Sequence, residues 1–193
     1  MTRTVSFDRD AVVRAARTVF WQAGYDASVP ALEQATGLGR SSIYNTFGSK
    51  RGLFDAAVQS YLDEVVRPRL QPLTQDAVPP DAIVAYLTGL RGAFLKVDSP
   101  AASNGCLLIN AAGTPIAHDQ HVAQTIAAYR DEMRAALGRG VAAHRPDDSA
   151  DVQRRISDAV TGLVVAAFAL VRIDRSSAAD NIDAALGLID AGT

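Results

Sequence analysis

Apolar residues recur along this chain at steps of three and four. Pro, Gly and Ser clusters fall between the periodic stretches, and no alternating run is long enough for a strand. The pattern predicts an all-α protein of about nine helices. The first runs from about Asp8 to Ala23, with Ser6 or Asp8 as cap and Val12, Ala16, Val19, Phe20 and Ala23 as its stripe. Gly24 ends it. Ser28 caps a short helix to Thr36, with Pro30 in its first turn, and Gly37 breaks that helix. Another short helix, about Arg40 to Phe47, is anchored by Ile43 and Phe47, and Ser49 caps a fourth that reaches about Val66.

Four prolines between residues 67 and 80 read as a bend and loop. Helices follow at about 81–97, 106–112, 119–144, 149–173 and 178–191, with Ala101–Gly105 as a loop. The long 119–144 helix carries Val122, Ile126, Tyr129, Met133 and Leu137 on one stripe. The expected division falls after residue 50, giving one unit over 1–50 and a second over 51–193.

Composition narrows the class. With 48% hydrophobic and 21% charged residues in 193, the chain suits a packed globular protein and not a disordered one. A single cysteine, Cys106, excludes an internal disulfide and a thiolate zinc cluster. The longest apolar stretch, Ala159–Val171, is interrupted by Thr161 and is shorter than the roughly 20 residues of a membrane span. The polar start at Thr2-Arg3-Thr4 shows no secretory signal, so a cytoplasmic protein is expected. The net charge of −2 hides an asymmetry: residues 1–51 carry +3 and the remainder −5. A basic N-terminal part on an acidic remainder fits a nucleic-acid-binding module joined to something else.

The segment 28–54, SVPALEQATGLGRSSIYNTFGSKRGLF, holds a capped short helix, a Gly turn and a second short helix, which is a helix-turn-helix. The second helix presents Arg40, Ser41, Ser42 and Asn45, side chains that donate and accept hydrogen bonds as major-groove readout requires. Arg40 suits guanine, Asn45 suits adenine, and Tyr44 has a hydroxyl for phosphate. Ser49 and Lys50 open the next helix, where free amides and a cation converge on an anion. Ser28 and Gly39, at the starts of the two short helices, complete the expected DNA-binding set.

These residues resemble the TetR (tetracycline repressor) family. The likeness runs through Phe20, Gly24-Tyr25, Ser28-Val29, Leu32, Ala35, Gly37-Leu38, Ser41, Ile43-Tyr44, Phe47 and Ser49-Lys50. Two positions depart from the family pattern. Glu33 stands where a small residue is usual, with consequences for packing or a DNA-repelling charge if it faces outward. Gly39 stands where Ser or Thr usually caps the recognition helix, a cap weaker by about a few tenths of a kcal/mol. The resemblance implies a homodimer on a palindromic double-stranded operator, usually a repressor, with a small ligand in the C-terminal unit moving the DNA-reading parts and releasing DNA. It implies no enzyme and no cofactor. The sequence itself has no GxSxG, phosphate-binding Gly loop or CxxC. The rival readings are a ligand-binding or interaction protein that has lost DNA binding, and an architectural partner of a larger complex; Arg40, Tyr44 and Lys50 argue against lost binding.

The dimer surface is expected on the last two helices, at Ile156, Leu163, Ala167, Val171, Ile182, Leu186 and Ile189, with packing inside one monomer as the alternative. Gly162, Ala166 and Ala169 permit close helix approach. Candidate ligand contacts are Tyr86, Phe94, Cys106, Leu107, Asn110, Tyr129, Met133 and Phe168, implying a hydrophobic or aromatic ligand. The segment Gly105–Asn110 resembles one found in a branch of the family that includes electrophile sensors. For Cys106 two roles stay open, a reactive thiol at a helix start or a small buried hydrophobe. His118, Asp119 and His121 are too few for a metal site and read as exposed helix-start residues.

Overall fold

The computed structural model describes residues 7–191. Among them are nine helices of eight or more residues and no strand. The chain divides into two compact units, one ending at Val66 and the other starting at Arg67. That boundary lies beyond the expected one after residue 50, because the fourth helix packs along the first.

The N-terminal unit contains α1 (Arg9–Ala23), α2 (Val29–Thr36), α3 (Arg40–Phe47), α4 (Lys50–Tyr61) and a π-helical turn, Leu62–Val66. Asp8 caps α1, accepting from the Asp10 and Ala11 amides at 3.0 and 3.1 Å; Ser6 lies outside the described residues. Phe20 and Phe54, both essentially without solvent contact, meet edge to face at 5.2 Å and lock α1 to α4. Tyr25 stands against the same Phe54 ring, and Trp21 against Tyr61. Such pairs add about 0.5–1.5 kcal/mol each beyond their buried area. Arg17 reinforces the join. Its guanidinium donates to the Ser60 carbonyl (3.1 Å) and hydroxyl (2.9 Å) and pairs with Glu64 (2.8 Å), holding that carboxyl below its usual range. Expected as one helix to Val66, α4 instead widens to a π turn over its last residues, a rare form that occurs mostly as single turns inside α-helices.

The C-terminal unit contains α5 (Arg67–Thr74), α6 (Ala82–Leu95), α7 (Pro100–Asn104), α8 (Leu107–Ala112), a 3₁₀ turn (Pro115–His118), α9 (Gln120–His144), α10 (Ala150–Leu170) and α11 (Arg175–Asp190). Two of these stand where loops were expected. Residues 67–74 are helical although Pro68 and Pro72 lie among them. They continue from the π turn, and burial of Leu70 and Leu73 outweighs the amides that the prolines lack. Residues 100–104 form one turn because Ser99 caps it, accepting from the Ala102 amide at 3.0 Å, with Pro100 at the first helical position.

The core of this unit lies between α6, α9, α10 and α11, with Ile83, Leu87, Phe94, Leu137, Val141, Val164 and Ile182 fully buried. Phe94 and Phe168 meet edge to face at 5.2 Å. Gly140 is required by this packing, since a Cβ there would lie 2.8 Å from Leu73 Cδ2 and 2.9 Å from Ile83 Cβ. Arg145, nearly buried, ends α9 and donates to the Ile189 carbonyl (2.8 Å) and the Ala191 carbonyl (2.5 Å), tying down the C-terminus of α11. Among the described residues no helix is long and apolar enough to cross a membrane.

Helix α11 starts three residues before the expected Ala178, because Asp174 caps it. The carboxylate accepts from the Ser176 and Ser177 amides (3.0 and 3.1 Å) and from both serine hydroxyls (2.8 and 2.6 Å). The Ser177 hydroxyl contributes most to lowering its pKa from 3.8 to about 2. A depressed carboxylate pKa adds stability that is complete above the unfolded value, near 4, and lost as pH falls through the folded one. Thermal melts of wild type and Asp174→Ala should therefore differ at neutral pH, and the gap should close between about pH 4 and 2. A gap that is constant with pH would show that the carboxylate charge contributes nothing.

Candidate nucleic-acid interface

The α2–α3 pair is built by local rules. The Ser28 hydroxyl accepts from the Ala31 amide at 3.3 Å and starts α2. Gly37 turns the chain at φ 69°, in the left-handed region that favours glycine. Leu32 and Ile43, each 1% exposed, press the two helices onto α1 and α4. Gly52 lets α4 approach the end of α3, because a Cβ there would lie 2.0 Å from the Phe47 carbonyl oxygen. Ser49 caps α4, accepting from the Gly52 amide at 3.0 Å.

Glu33, the acidic residue that departs from the family pattern, faces the turn. Its Oε1 accepts from the Arg40 amide, the first of α3. Gly39 stands at the N-cap and offers no side-chain bond, so the glutamate fills the place of the missing Ser or Thr. Neither departure was legible as one half of a pair, because the two lie six residues apart and the turn brings them together.

On α3, Arg40, Ser41, Ser42 and Asn45 are exposed, while Ile43 points inward. Among the described residues, the side chains of Ser41, Ser42 and Asn45 have no internal hydrogen-bond partner; their donors and acceptors face water. The Arg40 guanidinium lies over the Tyr44 ring at 5.4 Å, and the Lys50 ammonium over the Tyr25 ring at 4.7 Å, so both cations are positioned while keeping their charge. Ser28 and Gly39 serve as caps at the edges of this face.

In the C-terminal unit a cavity of about 370 Å³ opens among α5, α6 and α7. Of the eight expected ligand contacts, Tyr86 lines it. Burial pushes its hydroxyl up to about 12, with Arg69 pulling the other way. Arg69, Pro72, Gly89 and Ala101 also line it; Arg69, Pro72 and Ala101 were hidden because residues 67–80 and 101–105 read as loops, and Gly89 because a glycine within a helix carries no side-chain signal. Phe94, Leu107, Met133 and Phe168 are buried core side chains. Cys106, fully buried, donates to the Tyr129 hydroxyl (3.4 Å), which donates to Met133 Sδ (3.8 Å). Asn110 spends its amide on the Asn104 carbonyl (2.7 Å), joining α8 to α7. Gly105 has φ 66°, and a Cβ there would lie 2.9 Å from the Phe168 carbonyl, so the Gly105–Asn110 segment has a packing role against α10. Asp119 uses its carboxylate to cap α9, accepting from the His121 amide at 2.9 Å.

The expected dimer residues separate into two groups. Ala167, Val171, Ile182 and Ile189 are at most 1% exposed, packed within the monomer, and so are corrected from surface to core. Ile156, Leu163 and Leu186 remain partly exposed. Beside them Ile173 and Leu188 are 85% and 38% exposed, and a Cβ added at Gly162 or Gly187 would meet nothing within 4 Å.

The Glu33–Gly39 pairing gives a direct test. Glu33→Ala should destabilise the protein by about 1 kcal/mol, the usual cost of a lost N-cap. Gly39→Ser should recover most of that in the Glu33→Ala background while adding little to wild type. Denaturant unfolding of the four proteins measures the coupling, and strictly additive effects would sink the pairing.

Residues 12–57 match the profile of the family described as bacterial regulatory proteins, tetR family. The chain is 33% identical to the HTH-type transcriptional repressor ComR of Escherichia coli K12, over 62% of its own length and 57% of that relative's. It thus spans little more than half of ComR. It is 28% identical to YezE of Bacillus subtilis 168, an uncharacterized HTH-type transcriptional regulator, over 98% of this chain and all of YezE. A cysteine mutant of the TetR family transcriptional regulator CifR, complexed with 26-base-pair double-strand operator DNA, superposes with TM-score 0.79 at 27% identity, covering 99% of this chain and 100% of that one. A TetR transcriptional regulator from Chloroflexus aurantiacus gives TM-score 0.70 at 26% identity over 94% of each chain. The matched profile contains the α2–α3 pair, its glycine turn and the α4 start described above, and the structural likeness extends through the helical C-terminal unit. Residues 12–57 thus carry the N-terminal module of the tetR family of bacterial regulatory proteins, and over nearly its whole length the chain is similar in fold to TetR family transcriptional regulators.

Proposed function

We propose that the protein is a cytoplasmic, homodimeric transcription regulator that reads a palindromic operator through α3 and is released from it by a small ligand bound in the C-terminal unit, acting as a repressor. The observation that carries the DNA-binding reading is the exposed, internally unpartnered set Ser41, Ser42 and Asn45 on a helix anchored from behind by Ile43. Surface polar groups with no partner in the fold are available to base edges. Arg40 and Lys50 supply the cations at its two ends, and the α4 N-terminus adds amides suited to a phosphate. ComR is named a repressor, and CifR was solved on operator DNA, which supports the same role here.

The dimer reading rests on the outward faces of α10 and α11. Gly162, Ala159, Ala166 and Ala169 keep the α10 surface low enough for a second helix to come close, and Ile156, Leu163, Leu186 and Leu188 supply apolar area. A dimer would present two α3 helices to successive major-groove faces about 34 Å apart. Ligand control follows by linkage: a molecule that weakens operator binding must itself bind the operator complex more weakly.

Selection of bound duplexes from a random pool should return a palindromic consensus. Asn45→Ala should relax preference at one base position, at a cost of about 1–3 kcal/mol there, while Lys50→Ala should weaken all sequences and lower the salt slope by about one. Salt-sensitive binding with no consensus would overturn sequence reading. Sedimentation at micromolar concentration should give a dimer, and Gly162→Trp should give a folded monomer, since the added side chain has open space within one chain. A wild-type monomer, or an undisturbed Gly162→Trp dimer, would remove α10 from the interface.

A further inference from the structure

The α5–α6–α7 cavity is apolar except at two points. Pro72, Gly89, Leu90 and Ala101 form much of its wall, and Arg69 and Tyr86 are its polar groups. No carboxylate lines it. The charges around it are unevenly matched. On the same short helix Arg67 is paired with Glu132 at 3.0 Å, and elsewhere in this unit Arg91, Arg134 and Arg154 each have an aspartate partner. Arg69 has no ion-pair or hydrogen-bond partner among the described residues. Its charge acts on the Tyr86 hydroxyl, which stays protonated across the physiological range with a pKa of about 12 and so remains a donor.

We propose that this cavity binds a small monocarboxylate with an apolar body, the carboxylate held by the Arg69 guanidinium and the Tyr86 hydroxyl and the body lying against Pro72, Gly89, Leu90 and Ala101. A guanidinium fork matches the two oxygens of one carboxylate, and Tyr86 supplies a further proton donor. One cation suits one negative charge, whereas a phosphate dianion would leave a charge uncompensated beside apolar wall. A neutral apolar ligand would fill the wall and leave the polar end unused. The proposal deepens the reading of the C-terminal unit as the ligand-responsive one, and rests on it only for the link to DNA.

The test uses the full chain, octanoate as probe and octanamide as its neutral match, with affinities from calorimetry. Wild type should bind octanoate at least about tenfold more tightly than octanamide. Arg69→Gln should abolish that preference by weakening octanoate about tenfold more than octanamide. Gly89→Leu should weaken both probes about tenfold or more, because its side chain enters the cavity from a position where a Cβ meets nothing within 4 Å. Far-UV circular dichroism and melting temperature check that each variant folds. Equal affinity for the two probes in wild type, octanoate binding that survives Gly89→Leu, or no octanoate binding at all would each overturn the proposal. Release of the selected operator is read separately. Octanoate that binds in the cavity as described but leaves DNA bound supports the site and overturns only the ligand control proposed above.

Discussion

An eight-residue helix cannot hold itself together in water, and the proposed reading face of this protein is set on one. Helix α3 closes too few internal hydrogen bonds to offset the chain entropy it loses. It persists because Ile43 is driven into a core made by α1 and α4, and because Gly52 lets the α4 backbone come against the Phe47 carbonyl. Every exposed polar residue on α3 depends on that buried contact behind it. The edge-to-face stack of Phe20, Phe54 and Tyr25 thus supports the proposed DNA-reading face although none of its rings need touch DNA.

The same dependence explains which parts of the interface were legible. The caps, the glycine turn and the apolar spacing are local properties, and Ser28, Gly37, Ile43 and Ser49 took up the roles their neighbours imply. Glu33 and Gly39 were each legible as oddities. Their compensation was not, because it depends on the turn folding one helix end over the next. A carboxylate at the N-terminus of α3 also satisfies an amide that would otherwise be free for a phosphate. In the proposed complex this leaves phosphate binding to the α4 start and to Arg40 and Lys50.

In the C-terminal unit the helices were legible, and their partners were not. Amphipathic periodicity says that a face is apolar; it does not say which chain covers it. Val171, Ile182 and Ile189 sit on apolar stripes, and α6 and the α10–α11 contact within one monomer cover them. The large apolar residues left outward, Ile156, Leu163, Ile173, Leu186 and Leu188, are scattered, and between them Ala159, Gly162 and Ala166 leave room for close helix approach. The helix over Arg67–Thr74 was hidden for a related reason. Proline lowers local helix propensity, but Leu70 and Leu73 gain more by burial than the two missing amides lose. The cavity walls come from that helix, so the misreading of a loop also hid Arg69.

The candidate functional groups combine an absence of internal partners among the described residues with a place on one helix face or at one cavity. Most arginines of the C-terminal unit are ion-paired, and two aspartates, Asp119 and Asp174, cap helices, so their charges are largely spent inside the fold. Such exposed pairs contribute little stability individually, but they leave little unmatched charge near them. Ser41, Ser42 and Asn45 in one unit and Arg69 in the other share the lack of an internal partner among the described residues with Lys96 and Arg175, and what marks them is their place on α3 and at the cavity. A polar group that is positioned but unused inside its own chain is free to recognise something else. In this protein the two sets differ in kind: a row of neutral donors and acceptors between cations suits a duplex, and one cation beside an apolar wall suits a small amphipathic anion.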